Sequence, residues 1–84
     1  MLETIMQHTA FITGTNRGIG LSLTKHYLGR GWKVLAACRE PSPALMESGA
    51  TVITGIDVTK PDSLELLTDK LAHTRIDLLI NNAG

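Results

Sequence analysis

Four short apolar runs, each stopped by a glycine or polar turn and separated by stretches of helical periodicity, restrict this chain to a layered α/β fold. Ala10-Phe11-Ile12 ends in Thr13-Gly14, too short for a helix. Val34-Leu35-Ala36-Ala37-Cys38 is continuous and apolar, as a strand covered on both faces must be. Val52-Ile53 with Ile56 reads as a third strand, and Leu78-Leu79-Ile80 as a fourth, closed by Asn81-Asn82-Ala83-Gly84. Between the first two runs, Ile19, Leu23 and Tyr27 recur at i, i+4 and i+8 with Leu28 beside them. That spacing predicts a helix from Gly18 to near Gly29 or Gly31, with these residues on its buried face. Pro41 and Pro43 mark a turn, and Ala44 to Ser48 suffices only for a short helix before Gly49. Thr59, with Pro61 in the first turn and Asp62 three residues on, reads as a helix start; Leu64, Leu67 and Leu71 supply that helix's apolar stripe.

The order is therefore β-α-β-α-β-α-β within 84 residues, enough for one small domain. Right-handed crossovers between parallel strands place helices on both faces of the sheet. In the dinucleotide-binding version of this arrangement the strand order is 3-2-1-4, and ligands bind outside the carboxyl ends of the strands, at the switch point between strands 1 and 4. Each strand here is followed at once by a distinctive motif. Gly14 to Gly20 follows the first, Arg39 the second, Asp57 the third and Asn81 to Gly84 the fourth. A parallel sheet brings all four to one edge. If the sheet stops at the fourth strand, Leu78, Leu79 and Ile80 form an unprotected edge.

Composition removes several other functions. Lys plus Arg equal Asp plus Glu at eight each, and the arginines (Arg17, Arg30, Arg39, Arg75) are dispersed, so no basic stripe for nucleic acid or a membrane surface exists. Cys38 is the only cysteine, which rules out an internal disulfide and a cysteine metal cluster and suits a buried small hydrophobe. His8, His26 and His73 are isolated in sequence and fit no triad or metal spacing. Residues 1–7 read as an N-terminal tail rather than a signal peptide, and no apolar run is long enough to span a membrane, so the expected compartment is the cytoplasm.

Thr13-Gly14-Thr15-Asn16-Arg17-Gly18-Ile19-Gly20 is the most chemical of the motifs. Glycines allow the backbone to turn tightly and to approach a pyrophosphate, and the helix beginning near Gly18 presents its N–H groups and positive dipole end to an anion. The spacing Gly-x-x-x-Gly-x-Gly differs from Gly-x-Gly-x-x-Gly, and no Gly-Lys-Ser/Thr follows to make a P-loop. Thr-Gly-x-x-x-Gly-x-Gly at residues 13–20, together with Asn81-Asn82-Ala83-Gly84 and Asp57-Val58, resembles the signatures of the short-chain dehydrogenase/reductase family, with the wording of its C-factor-like and carbonyl-reductase-like branch. The resemblance runs from His8 onward. It implies that residues 8–84 form an incomplete NADP-binding Rossmann domain, the first half of a doubly wound parallel sheet.

It also implies roles for particular residues. Gly14, Asn16, Arg17, Gly18, Ile19 and Gly20 would line the phosphate and ribose side of the cofactor. Asp57 would accept a hydrogen bond from the adenine amino group, with Val58 beside the ring. Asn81, Ala83 and Gly84 would lie near the adenosine ribose and hold strand 4 against strand 1. The choice of NADP over NAD follows from charge. An NAD site carries an acid at the end of strand 2 to bond the ribose hydroxyls, whereas this chain reads Ala37-Cys38-Arg39, with no acid before Glu40. A carboxylate there would repel a 2′-phosphate; an arginine fork matches it, and Arg17 approaches from the other side. The bland alternative is a surface Arg39 pairing with Glu40.

The family's activity is hydride transfer between the nicotinamide and a carbonyl or alcohol, with a serine to hold the substrate oxygen and a Tyr-x-x-x-Lys pair to move its proton. None of these is present, since the only tyrosine is Tyr27 and the residue four later is Gly31. Two expectations stand side by side: the chain is a piece of a longer NADP-dependent oxidoreductase acting on a small carbonyl or alcohol, or a small protein that binds a nucleotide without turnover.

Overall fold

The computed structural model describes residues 7–57 and 59–82, apart from the side chain of Leu64. The elements are β1 (Thr9–Thr13), α1 (Gly18–Gly29), β2 (Lys33–Ala37), α2 (Pro43–Met46), β3 (Thr51–Ile53), α3 (Pro61–Leu71) and β4 (Leu78–Ile80). The strands form one parallel sheet in the order β3-β2-β1-β4, the order expected of a doubly wound dinucleotide fold.

Alternation along the strands divides the interior into two layers, because successive side chains point to opposite faces of a sheet. Ala10, Ile12, Val34, Ala36, Cys38 and Leu45 form the first layer, against which Leu23, Tyr27 and Leu28 of α1 pack. Phe11, Leu35, Ala37, Ile53 and Ile56 form the second, covered by Leu67 and Leu71 of α3 together with Ile76. Leu78 and Ile80 join the first layer, so only Leu79 leaves its side chain exposed on the β4 edge.

Three local expectations need correction. Ile19 is 71% exposed, and the sheet-facing stripe of α1 is instead Gly20, Leu23, Thr24, Tyr27 and Leu28, with Gly20 and Thr24 buried. The helix rests so close to the β1–α1 turn that a Cβ at position 20 would collide with Gly14, while the bulky Ile19 faces outward. Thr24 answers its own burial by donating its hydroxyl to the Gly20 carbonyl at 2.8 Å. Ile56 lies beyond β3, after the turn at Gly55, although its N–H still donates to the Cys38 carbonyl at 3.0 Å. The cap of α3 is Lys60, not Thr59, with Pro61 opening the helix, Asp62 in its first turn and Lys70 in its last, as the helix dipole favours. Leu64 was expected in the α3 stripe, and its side chain lies outside the described residues.

At the amino edge of the sheet His8 is not isolated. Its ring packs against Trp32 at a tilt, with centroids 4.9 Å apart, and its Nδ1 lies 3.9 Å from Asp77 Oδ2. Asp77 Oδ2 accepts the Thr9 N–H at 2.8 Å, and Arg75 Nε lies 3.1 Å from Oδ1. This network ties the start of β1 to the segment before β4.

Candidate nucleotide-binding cleft

The opposite, carboxyl edge carries an open cleft of about 980 Å³. The β1–α1 loop contributes Gly14, Asn16, Arg17 and Gly18; the segment after β2 contributes Cys38 to Ser42; Ile56, Asp57 and Thr59 follow β3; Asn82 follows β4. All four loop motifs therefore meet at one place. The size is that of an ordinary small-ligand pocket.

The β1–α1 turn is shaped by its glycines. Gly14 and Gly18 have φ of +65° and +58°, the left-handed region that side chains resist. Gly20 serves a different purpose. A Cβ placed there would lie 2.0 Å from the Gly14 carbonyl oxygen and 2.7 Å from Asn82 Nδ2. Only the absence of a side chain lets α1 begin this close to the loop. Arg17, extended at φ −160°, occupies the cap position of α1 and makes no side-chain cap hydrogen bond, and the first turn holds no acidic residue. The dipole end thus meets the cleft without a carboxylate to neutralise it.

Buried hydroxyls pin the loop from beneath. Thr15 Oγ1 donates to the Ala37 carbonyl at 3.1 Å, joining the loop to the end of β2. Thr13 Oγ1 donates to Asn81 Oδ1 and accepts the Asn82 N–H, each at 3.0 Å, and Asn82 Nδ2 donates to the Gly14 carbonyl at 3.1 Å. The segment after β4 is thereby fastened to the end of β1. The residue that also reaches the glycine turn and lines the cleft is Asn82, which the sequence reading did not single out.

Asp57 also lines the cleft. Its Oδ1 accepts the Thr59 hydroxyl at 2.6 Å and the Thr59 N–H at 3.0 Å, while its own N–H donates to Ser63 Oγ. The two Thr59 bonds, with smaller help from the charges of Arg39 and Lys60, hold the carboxyl below its ordinary value. Asp57 is an anion at neutral pH and an acceptor for a donor entering the cleft. Cys38 lies beneath, 5% exposed, and burial pushes its thiol pKa up, so it is a packing residue.

Of the residues expected at the site, Gly14, Asn16, Arg17, Gly18, Arg39 and Asp57 line the cleft. Gly20 and Asn81 support it from behind, and Ile19 is exposed to solvent and does not line it. Val58, Ala83 and Gly84 lie outside the described residues. Arg17 and Arg39 are both exposed, and the ion pairs among the described residues join His8 and Arg75 to Asp77 rather than Arg39 to Glu40. Among the described residues no group of three or more His, Cys, Asp or Glu is placed to hold a metal, and no helix is long and apolar enough to cross a membrane.

The sequence profile of the short chain dehydrogenase family matches residues 8–84. The chain belongs to that family. It is 33% identical over 78 residues to 1-hydroxy-2-glutathionyl-2-methyl-3-butene dehydrogenase of Rhodococcus, covering 90% of this chain and 34% of the relative. To human short-chain dehydrogenase/reductase family 9C member 7 it is 34% identical over 92 residues, covering 100% of this chain and 29% of the relative. A short-chain dehydrogenase/reductase from Burkholderia multivorans, solved with bound NADP, superposes with a TM-score of 0.84 at 26% identity over 94% of this chain and 37% of that one. The chain thus spans about a third of the length of the relatives it matches.

Proposed function

We propose that this chain binds NADP across the carboxyl edge of its sheet, as the cofactor-binding portion of an oxidoreductase that moves hydride between NADP(H) and a small carbonyl or alcohol. The observation that carries the reading is the pair Arg17 and Arg39, on separate loops of one cleft, with no acid at the end of β2 before Arg39. The Burkholderia multivorans neighbour was solved with NADP in the same fold, and the Rhodococcus relative is named a dehydrogenase.

In this reading the turn from Gly14 to Gly18 lies against the pyrophosphate, and the start of α1 offers it N–H groups and the positive dipole end. Gly20 and Asn82 set how closely that turn approaches. The guanidinium groups of Arg17 and Arg39 take the 2′-phosphate, Asp57 accepts from the adenine amino group with Val58 alongside, and Ile19 flanks the phosphates. Asn81, Ala83 and Gly84 bound the ribose. When bound, the nicotinamide supplies or accepts the hydride; this chain's own residues bind and orient it. The partners of this reading are a small molecule and no nucleic acid, and its compartment is the cytoplasm.

Nucleotide binding without turnover is the second reading, in which Tyr27 takes no part in chemistry. The only tyrosine, Tyr27, packs on Trp32 with ring centroids 4.9 Å apart, at the amino end of β2, away from the cleft. Isothermal titration with NADP and NAD tests the main reading. The unmodified protein should prefer NADP, and Arg39→Asp should reverse or abolish that preference, since a charged hydrogen bond contributes about 1.5–3 kcal/mol, tenfold or more in affinity. Equal affinities in the unmodified protein would refute it.

A further inference from the structure

Asn16 lines the cleft, and its side-chain polar groups bond to the neighbouring loop. Its Nδ2 donates to the Glu40 carbonyl, its Oδ1 accepts the Ser42 N–H at 2.9 Å, and its backbone carbonyl accepts the Ser42 hydroxyl at 2.8 Å. Ser42 Oγ in turn accepts the Leu45 N–H at 3.2 Å, so the same hydroxyl also fixes the first turn of α2. Three bonds therefore join the glycine loop to the segment after β2 across a sequence gap of about two dozen residues.

The position of this junction matters more than its strength. Asn16 immediately precedes Arg17, and Glu40 immediately follows Arg39. The bonds span the backbone between two like-charged, exposed arginines on separate loops. Thr15 holds the loop to the end of β2 from beneath, and these three bonds add a second tie beside the two arginines, without which a ligand phosphate would have to order both segments at once. With it, much of that ordering is complete before binding.

We propose that Asn16 and Ser42 form an interloop latch that sets the spacing of Arg17 and Arg39, and that both are positioning residues for the preference for a 2′-phosphorylated dinucleotide. The inference rests on the NADP reading above. A dinucleotide with a free 2′-hydroxyl draws on neither guanidinium, so loss of the latch acts on the ratio of the two affinities. A residue supporting only the pyrophosphate turn would weaken both cofactors alike.

The experiment is titration of NADP and NAD against the unmodified protein, Asn16→Ala, Ser42→Ala, Ser42→Thr and the double alanine variant, with Asn16→Ala repeated in an Arg39→Ala background. The preference for NADP should fall roughly three- to tenfold in each single alanine variant, the scale of ordering one or two long side chains. Asn16→Ala removes two of the three bonds and Ser42→Ala the third, so the double variant should lose more than either single. Ser42→Thr keeps the hydroxyl and should keep the preference. In the Arg39→Ala background Asn16→Ala should leave the ratio where it was. Equal loss for both cofactors, no change, or a further loss in the Arg39→Ala background would overturn the latch while leaving the NADP reading intact. Equal affinities in the unmodified protein would overturn the NADP reading, and the latch with it.

Discussion

Replacing Gly20 by alanine adds one methyl group at the tightest contact in the chain. The new Cβ would lie 2.0 Å from the Gly14 carbonyl oxygen and 2.8 Å from its carbonyl carbon, backbone atoms with no flexible end to yield. A real Cβ keeps at least 3.0 Å, so α1 or the loop must retreat by about 1 Å. Such overpacking costs about 1–3 kcal/mol. The methyl group also intrudes on the bond from Asn82 Nδ2 to the same carbonyl, worth about 1 kcal/mol. Alanine returns up to about 1 kcal/mol through its better helix propensity. The net expectation is a loss of about 1–3 kcal/mol. Gly29→Ala, at the other end of the same helix with open space around its Cβ, should be neutral or slightly stabilising. Urea unfolding followed by far-ultraviolet circular dichroism and by the single tryptophan, Trp32, compares the two variants directly. A Gly20→Ala protein as stable as Gly29→Ala would show that the close approach of α1 to the loop has been misread.

Leu45, fully buried between α2 and the sheet, should cost about 2–5 kcal/mol when cut to alanine, measured by the same unfolding curves. The Thr9 N–H, then the charges of Arg75 and His8, hold the Asp77 carboxyl below its ordinary value. Its contribution to stability is therefore complete above the ordinary carboxylate range and disappears as pH falls through the lowered folded value. Asp77→Asn should flatten the acid limb of the stability profile, and an unchanged acid limb would remove Asp77 from the account. The 84-residue chain by itself should show no carbonyl-dependent oxidation of NADPH, followed by its absorbance with a panel of aldehydes and ketones. Turnover abolished by Gly18→Trp would mean that proton-transfer residues within the chain were overlooked.

The strand order and the gathering of four motifs were legible because both follow from short-range pattern. Apolar runs of strand length, helical spacing between them and a polar stop after each determine where strand ends go in a parallel sheet. The face of α1 was not legible. Ile19 continues the periodic apolar pattern better than Gly20 or Thr24, but the face is chosen by clearance over Gly14, a tertiary constraint absent from local pattern. Thr59 had the composition of a helix cap, yet the Asp57 carboxylate, two residues earlier, captured both its hydroxyl and its N–H. The roles of Asn82 and Ser42 depend on bonds to Gly14 and Asn16, 68 and 26 residues away, and an asparagine or serine in a turn signals no such partner beforehand. For Asn82 a hint existed in its place within Asn81-Asn82-Ala83-Gly84; for Ser42 the only sequence signal was a serine before Pro43, which marks a cap and nothing more.

In the proposed function NADP occupies the carboxyl-edge cleft, with its phosphates against the glycine turn and the two arginines. Amide chemical-shift mapping of the isotopically labelled protein during an NADP titration tests it most directly. Gly14, Arg17, Gly18, Arg39 and Asp57 should show large shifts that saturate together, with the amino-edge residues His8, Trp32 and Asp77 unmoved. Shifts centred on the amino edge, or NADP binding that leaves the glycine turn unperturbed, would contradict it.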